Sequence, residues 1–155
     1  MQHEQFGTME GHSLPMVRQV SVFVENRPGQ LLRLTQAFDN YDIKILGLSQ
    51  MDVGDFAIIR LVFDKPDLAL EILKNADFPI STSEIIVVRL PAGKRAMMQI
   101  WSVLLMAECN VTYTYPLLSL STGPCLALAV DSVESAVDTL IRRNFEVLGE
   151  TDLQC

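Results

Sequence analysis

The sequence is poor in cysteine and histidine, and this scarcity removes several kinds of functional site. Its 155 residues include three cysteines, Cys109, Cys125 and Cys155, with no C-x-x-C pair. An odd number without that spacing argues against a disulfide framework and favours a cytoplasmic location. Both histidines, His3 and His12, lie near the start, so the body of the chain offers no His-based catalytic centre. We therefore predict a protein without catalytic residues.

Further absences narrow the class of partner. No apolar run reaches the roughly 18 residues of a membrane-spanning helix. Neither a G-x-x-x-x-G-K-[ST] loop nor a G-x-G-x-x-G fingerprint occurs, so no nucleotide or other cofactor is predicted. The formal net charge of −7, without a basic stripe, argues against nucleic acid and against an anionic membrane. Asp52 and Asp55 bracket a predicted hairpin turn and are interpreted as turn residues, so no metal site is predicted.

The apolar pattern predicts a β-α-β-β-α-β order in the first half of the chain. After a flexible tail over 1–16, strands are predicted at 20–24, 42–50, 56–63 and 78–82. One helix follows the turn at 25–30, and a second starts at Pro66, whose missing N–H is not needed in a first helical turn. These elements form a first unit over 17–83, called unit 1.

The same order is predicted again over 84–155, called unit 2. Its strands are placed at 84–90, 110–120, 125–130 and 145–148, with one helix through Trp101 and another after a capping box of Asp131 and Glu134. No linker separates the halves, since only Ser83 divides the two adjoining strands. The doubled order predicts an α+β fold: two ferredoxin-like βαββαβ units in tandem, with antiparallel sheets and helices on one face.

The strand at 56–63 is apolar on both of its faces. Side chains of alternate residues point to opposite faces of a sheet, and here neither alternating set is polar throughout. We therefore expect the face without helices to be covered by another sheet, either within the chain or across a dimer.

The turn before the first helix is the best candidate for a binding site. Pro28 fixes a helix start, and Gly29 lets another molecule approach the backbone. The first N–H groups of the helix have no partner within it and suit a carboxylate. The side-chain amide of Asn26 both donates and accepts hydrogen bonds. The same residues are also compatible with a plain capped helix in which Asn26 bonds to its own backbone.

The segment Val24-Glu25-Asn26-Arg27-Pro28-Gly29-Gln30-Leu31, followed by Tyr41-Asp42-Ile43, resembles the start of the ACT domain. It is most similar to the regulatory ACT domains of phosphoglycerate dehydrogenase and of the acetolactate synthase small subunit, which carry an Asn-x-x-Gly-x-Leu turn. The resemblance implies a small amino acid as ligand, bound between the turn of one unit and the start of the second strand of another. The implied ligand-binding residues are Asn26, Arg27, Pro28, Gly29, Gln30, Leu31, Asp42 and Ile43. At two positions, Val24 and Asp42, the sequence has a different residue from the serine-binding relative.

A second site is implied more weakly in unit 2. When the apolar faces of the two first helices are aligned, Lys94 and Arg95 of unit 2 occupy the positions of the Pro-Gly pair of unit 1. This turn is therefore either a solvated surface or a binding site for an anion or for a carboxylate of a partner. The facing strand residues are Asn110, Val111, Tyr113 and Tyr115, and the two tyrosines either wall a pocket or pack within a sheet.

The resemblance favours a non-catalytic, amino-acid-binding regulatory protein. Two other functions stay open: a regulatory subunit that docks on a biosynthetic enzyme such as acetolactate synthase, and a structural ACT dimer without ligand. A homodimer is expected in each case, because closed two-fold pairs are the commonest solution for a self-complementary surface.

Overall fold

The computed structural model of the chain describes residues 14–118 and 120–154. His3, His12, Cys155 and most of the predicted tail lie outside the described residues. Residues 14–16 have no regular secondary structure, but Leu14 packs on a core cluster of unit 2. Cys109 and Cys125 are buried free thiols, and burial raises the pKa of Cys125.

Unit 1 contains the predicted elements in the predicted order. They are β1 (Val17–Glu25), α1 (Gln30–Gln36), β2 (Ile45–Val53), β3 (Phe56–Phe63), α2 (Pro66–Asn75) and β4 (Ile80–Arg89). Strand β3 has the predicted bounds, and Pro66 is the first residue of α2. Helix α1 is shorter than its apolar spacing suggested: it ends at Gln36, and Tyr41 is exposed in the following turn rather than part of the apolar face.

Unit 2 continues from β4 with α3 (Ala96–Met106), β5 (Val111–Pro116), β6 (Cys125–Val130), α4 (Val133–Arg142), β7 (Val147–Leu148) and a 3₁₀ helix (Glu150–Leu153). The capping box predicted at Asp131 and Glu134 is wrong: α4 is capped at Ser132 without a side-chain bond, and Asp131 accepts a hydrogen bond from the Asn110 amide at 2.9 Å. The last strand, predicted over 145–148, is limited to Val147–Leu148, although the Arg89 amide also donates to the Glu146 carbonyl at 2.9 Å.

Strand β4 belongs to both units. Its first half pairs with β1 and its second half with β6 and β7, so the predicted strands 78–82 and 84–90 are one continuous strand. The segment has no glycine or proline to interrupt it. Ser83 does not break the strand, and its hydroxyl accepts a hydrogen bond from the Gln19 amide at 3.2 Å.

The strand order confirms the predicted fold class. The seven-stranded sheet runs β2-β3-β1-β4-β6-β5, with β7 also paired to β4, and every pairing is antiparallel. Unit 1 is therefore β2-β3-β1-β4 and unit 2 is β5-β6-β4-β7, the arrangement of a split βαβ fold. The sheet curls until β2 meets β5, where Gly47 bridges to Leu117 and the Leu118 amide donates to the Leu46 carbonyl at 2.6 Å.

Curling places the two helix-free faces against each other. A cluster between them includes Val17 of β1, Val62 of β3, Ile85 of β4 and Ala127 of β6, all nearly free of solvent. The opposite face of β3 contributes Ile59 and other residues to a separate core under α1 and α2. The expectation that another sheet covers the second face of β3 is confirmed, and the cover lies within the chain.

A polar network crosses this inter-sheet layer. Gln19, fully buried on β1, donates to the Tyr113 hydroxyl at 2.7 Å and accepts from the Tyr115 hydroxyl at 2.6 Å. The Arg60 guanidinium lies 3.9 Å from the centroid of the Tyr113 ring. Burial raises the pKa of Tyr115, so its hydroxyl keeps its proton and remains a donor. The network joins three strands of the two units and fixes how their faces meet.

Arg18 ties the end of the chain to β1 and α2. Its guanidinium donates to both carboxylate oxygens of Glu150, at 2.9 and 3.0 Å, and to Asp67 at 2.8 Å. The hydrogen bonds from Arg18 lower the pKa of Glu150 and of Asp67. The 3₁₀ helix held in this way buries Leu153 in the inter-sheet core.

Replacing Glu150 with glutamine is expected to lower the free energy of unfolding at pH 7 by about 1 kcal/mol. Because the folded-state pKa of Glu150 lies below its ordinary value of 4.5, its contribution is present above that value and is lost as the pH falls through the lowered pKa. Urea unfolding at pH 7 and at pH 3 should therefore show a smaller difference between the two proteins at the lower pH. Glu146→Gln, which removes the more exposed pair with Arg89, is the control and should cost less. An equal difference at both pH values would contradict the assignment.

Candidate functional site

The turn between β1 and α1 lines a cavity of about 270 Å³. Its floor is apolar and buried, made by Val24 of β1 and by Ala57 and Ile59 of β3. Its rim is the predicted turn, residues 26–32, with Gln50 of β2 on the far side. This volume lies just below the roughly 300–1,000 Å³ of drug-sized ligand pockets, so the cavity suits a small molecule.

Asn26 connects the turn to the β2–β3 hairpin. Its side-chain amide donates to Asp52 Oδ1 at 2.8 Å and to the Gly54 carbonyl at 3.0 Å, and its backbone N–H donates to the Asp55 carbonyl at 3.0 Å. The donor half of the amide is therefore committed to the protein. Within the described residues its Oδ1 accepts no hydrogen bond, which leaves an acceptor at the rim. Asp52 and Asp55 act as hairpin residues, as the sequence predicted.

Gly29 is the N-cap of α1 and has a left-handed backbone, with φ 89°. No side chain caps the helix, and a Cβ built on Gly29 would meet no atom within 4 Å. The space above the turn is therefore open, and the conformation is one that side chains other than glycine's rarely adopt. Pro28 and Gly29 together present bare backbone toward the cavity.

Charges at the rim are balanced. Arg27 pairs with Glu25 at 2.6 Å on the surface, and the buried Gln30 accepts a hydrogen bond from Arg33 at 3.0 Å. The Arg33 guanidinium lies 4.3 Å from the centroid of the Phe78 ring. The two charged side chains that line the cavity, Glu25 and Arg27, are therefore paired with each other.

Asp42 and Ile43 lie away from this cavity. They precede β2, whereas the turn follows β1 and adjoins the β2–β3 hairpin at the other end of that strand. The exposed Asp42 carboxylate pairs with Lys65 at 3.1 Å, and that ammonium also contacts the Asp42 carbonyl. The residues of the described chain that line the cavity come from unit 1 alone and include neither Asp42 nor Ile43. One chain therefore does not bring the two halves of the implied site together.

The corresponding turn of unit 2 departs from unit 1 as its sequence indicated. Arg95 is the N-cap of α3, with an ordinary negative φ, where Gly29 stands in unit 1. The positive φ moves to Gly93, two residues earlier. Cavities of about 600 and 340 Å³ flank the turn, and Lys94 lines the larger one. Lys94 and Arg95 are exposed and, among the described residues, have no ion-pair partner.

The other residues of the second predicted site lie elsewhere. Asn110 and Val111 line a different cavity, next to Trp101 on the flank of α3. Tyr113 and Tyr115 face the inter-sheet layer and bond to Gln19, so they form the junction between units. The structure does not gather this set around Lys94 and Arg95.

The sequence analysis did not identify the floor of the cavity or its far side. Ala57 and Gln50 come from β3 and β2, far along the chain from the turn, and reach it only because Val24 pairs with Ala57 and Gln50 with Ile59. The Gly54 hairpin turn could have predicted the pairing of Gln50 with Ile59, but no local pattern predicts the pairing of Val24 with Ala57. The role of Gln19 was missed because a lone glutamine in a strand gives no pattern.

The described residues show neither a metal centre nor a membrane span. No group of three or more His, Cys, Asp or Glu is placed to hold a metal ion. No helix there is long and apolar enough to cross a bilayer.

The protein is a paired ferredoxin-like module. Its two units share one strand, and each has a cavity at its first strand–helix turn. The chain belongs to the ACT domain pair family, whose model matches residues 15–155. The resemblance read from the sequence is thus confirmed. ACT domain pairs are regulatory modules.

Solved structures share the fold at low identity. A protein from Bacteroides thetaiotaomicron has a TM-score of 0.81 at 20% identity, over 90% of this chain and 96% of that one. The ligand-free regulatory subunit of aspartate kinase from Thermus thermophilus has a TM-score of 0.58 at 12% identity, over 85% and 95%. The corresponding subunit from Thermus flavus has a TM-score of 0.55 at 14% identity, over 84% and 93%. No curated protein matches the sequence.

Proposed function

We propose that this protein is a non-catalytic regulatory protein that binds a small amino acid in the cavity of unit 1. The observation that carries the proposal is the cavity itself. The Asn-x-x-Gly-x-Leu turn forms its rim, and the space above Gly29 is open. The first amides of α1 have no partner within the helix and suit a carboxylate, while Oδ1 of Asn26 suits an ammonium.

The cavity favours an amino acid with an apolar side chain. Val24, Ala57 and Ile59 form a buried hydrocarbon floor, which a polar side chain would leave without hydrogen bonds. The paired charges of Glu25 and Arg27 match a molecule that carries one charge of each sign. Membership of the ACT domain pair family supports an amino acid as the ligand. The apolar floor of the cavity favours those amino acids that have an apolar side chain.

The second wall of the site is expected from another copy of the chain. The resemblance to the ACT domain implies that Asp42 and Ile43 face the turn, whereas in one chain these residues lie at the other end of β2. An exposed Asp42 carboxylate brought to the cavity would attract the ligand's ammonium group. Binding would then link ligand concentration to the association of two copies, a direct route from a small molecule to a regulatory signal.

Docking on a biosynthetic enzyme is the second candidate function. Among the described residues, the exposed apolar side chains of α3 form a surface that fits a protein partner. The fold shared with the regulatory subunit of aspartate kinase supports the same possibility. Affinity capture from the native cytosol followed by mass spectrometry separates the two functions, since only docking recovers one enzyme in stoichiometric amount.

Asn26→Ala is expected to weaken amino-acid binding by about ten- to a hundredfold. The change removes the acceptor offered to the ammonium and the two bonds that hold the turn to the hairpin. Calorimetric titration of the parent protein and the variant measures the loss, and circular dichroism checks the fold. Lys94→Ala, in the departing turn of unit 2, is the control and should bind as the parent does. If Asn26→Ala binds as tightly as the parent, the ligand lies elsewhere.

A further inference from the structure

Two adjoining cavities of unit 2 lie between α3 and the turn that follows α4. The first, of about 340 Å³, reaches the β4–α3 turn, and the second has a volume of about 420 Å³. Gln99, Arg143 and Phe145 line both cavities, so the two form one depression. This depression is called the Arg143 groove, and its charged, amide and aromatic side chains are Arg89, Arg95, Gln99, Arg143, Phe145 and Glu146.

The Arg143 groove contains more positive than negative charge. Arg89 and Glu146 form an ion pair at 3.1 Å and neutralise each other. Arg95 and Arg143 are exposed, and neither has an ion-pair partner among the described residues. The whole chain has a net charge of −7, so two unpaired cations beside one cavity are a local reversal of its charge. The groove therefore suits an anion that carries two negative charges.

The corresponding place in unit 1 is occupied by a side chain of the protein itself. Phe78 and Phe145 correspond, because each follows a residue of positive φ and donates its backbone N–H to the helix before it. In unit 1 the guanidinium of Arg33 lies 4.3 Å from the centroid of the Phe78 ring. Gln99 stands at the same distance from the N-cap of its helix as Arg33 does, and it is shorter and uncharged. The space beside Phe145 is therefore left for another molecule.

The fold does not require the two unpaired cations. Arg95 is the N-cap of α3 and Arg143 the C-cap of α4, whereas the corresponding caps in unit 1 are Gly29 and Ala76. A cation suits the C-terminus of a helix, which accounts for Arg143, but it is disfavoured at the N-terminus, where Arg95 lies. A bound anion would offset that cost.

We propose that the Arg143 groove binds a small organic phosphate, whose phosphate group lies between Arg95 and Arg143 and whose organic part packs on Phe145. A phosphate monoester carries about two negative charges at pH 7, which matches the two unpaired guanidinium groups. The planar guanidinium group donates two hydrogen bonds at once to phosphate oxygens. Inorganic phosphate alone would leave most of a cavity of about 420 Å³ empty. The site lies in unit 2 and does not depend on the proposed amino-acid site of unit 1.

NMR titration of the full chain with phenyl phosphate tests the proposal. We expect saturable binding at low salt with a dissociation constant of about 1 mM or lower. The side-chain amide signals of Gln99 and Asn144, which line the groove, should shift on binding. The net charge of the chain repels anions in general, so saturation at these signals indicates a local site. No saturation at about 10 mM, or shifts confined to unit 1, would overturn the proposal.

Neighbouring arginines provide a matched pair of variants. Arg95→Gln and Arg143→Gln should each weaken binding by about tenfold or more, because each removes a charged donor to the phosphate. Arg142→Gln is the control and should bind as the parent does, since Arg142 pairs with Asp138 at 2.7 Å and lines neither cavity. Circular dichroism should show all three variants folded, because each changed side chain is exposed. An equal loss in Arg142→Gln, or unchanged affinity in Arg143→Gln, would refute the site.

Benzoate tests the charge of the ligand. It has the same ring as phenyl phosphate but a single negative charge, so it should bind about tenfold more weakly. Inorganic phosphate has the charge without the ring and should also bind more weakly than phenyl phosphate. If benzoate binds as tightly as phenyl phosphate, the groove is not a phosphate site.

Discussion

Replacing Gly47 with alanine is expected to lower the free energy of unfolding by about 1–3 kcal/mol, and replacing it with valine by more. Gly47 lies on β2 where the curled sheet brings β5 against it. A Cβ at this position would overlap Cδ2 of Leu117 and would lie 3.2 Å from Cε2 of Tyr115. Both neighbours are buried in the inter-sheet core and have little room to move. Urea unfolding of the parent and the two variants measures the effect.

A double-mutant cycle shows whether the loss comes from this contact. Leu117→Ala alone should cost about 2–5 kcal/mol, because it leaves a cavity in the inter-sheet core. In that background Gly47→Ala should cost much less than in the parent, since the overlapping atom has been removed. Additive costs would mean that β2 and β5 do not approach as closely as described.

Replacing Gly29 with valine is expected to abolish amino-acid binding and to cost about 1–3 kcal/mol of stability. The stability loss follows from the left-handed backbone at φ 89°, which a β-branched residue avoids. The loss of binding follows because the turn must change shape and the added side chain enters the open space above it. Isothermal titration and urea unfolding give the two effects separately.

Gly93→Val is the matched control for this change. Gly93 also has a left-handed backbone, with φ 104°, and an added Cβ there also meets no atom within 4 Å. The control should therefore lose a similar amount of stability and keep its affinity for the ligand. Equal loss of binding in both proteins would assign the effect to general destabilisation rather than to the turn of unit 1.

The sequence predicted the elements best where an apolar run is bounded by turn residues. Strands β3 and β6 have their predicted bounds, because continuous apolar residues flanked by turn residues leave little choice. Predictions failed where the residue types favoured neither a strand nor a turn. Ser83 suggested a break between the units, yet it continues β4 because Gln19 and the neighbouring strands supply hydrogen-bond partners.

The part of the site that depends on pairing between strands distant in sequence could not be predicted. The turn at Asn26 and Gly29 was readable from a local motif, and the cavity forms there. The bond from Asn26 to Asp52 depends on where the β2–β3 hairpin ends relative to β1, which no local pattern determines. Tyr113 and Tyr115 were read as walls of a pocket or as sheet packing. Their bonds to Gln19 arise from the curl of the whole sheet, which only the assembled pairing reveals.

A thermal-shift screen of the unmodified protein against the common amino acids tests whether the cavity of unit 1 binds an amino acid. Ligand at about a hundred times its dissociation constant stabilises a folded protein by about 2.7 kcal/mol, which for a chain of this size raises the melting temperature by about 5–10 °C. We expect such a rise with an amino acid that has an apolar side chain, and no rise when the same amino acid is added to the Gly29→Val protein. The absence of any shift across the whole set, or an equal shift in the Gly29→Val protein, would contradict this expectation.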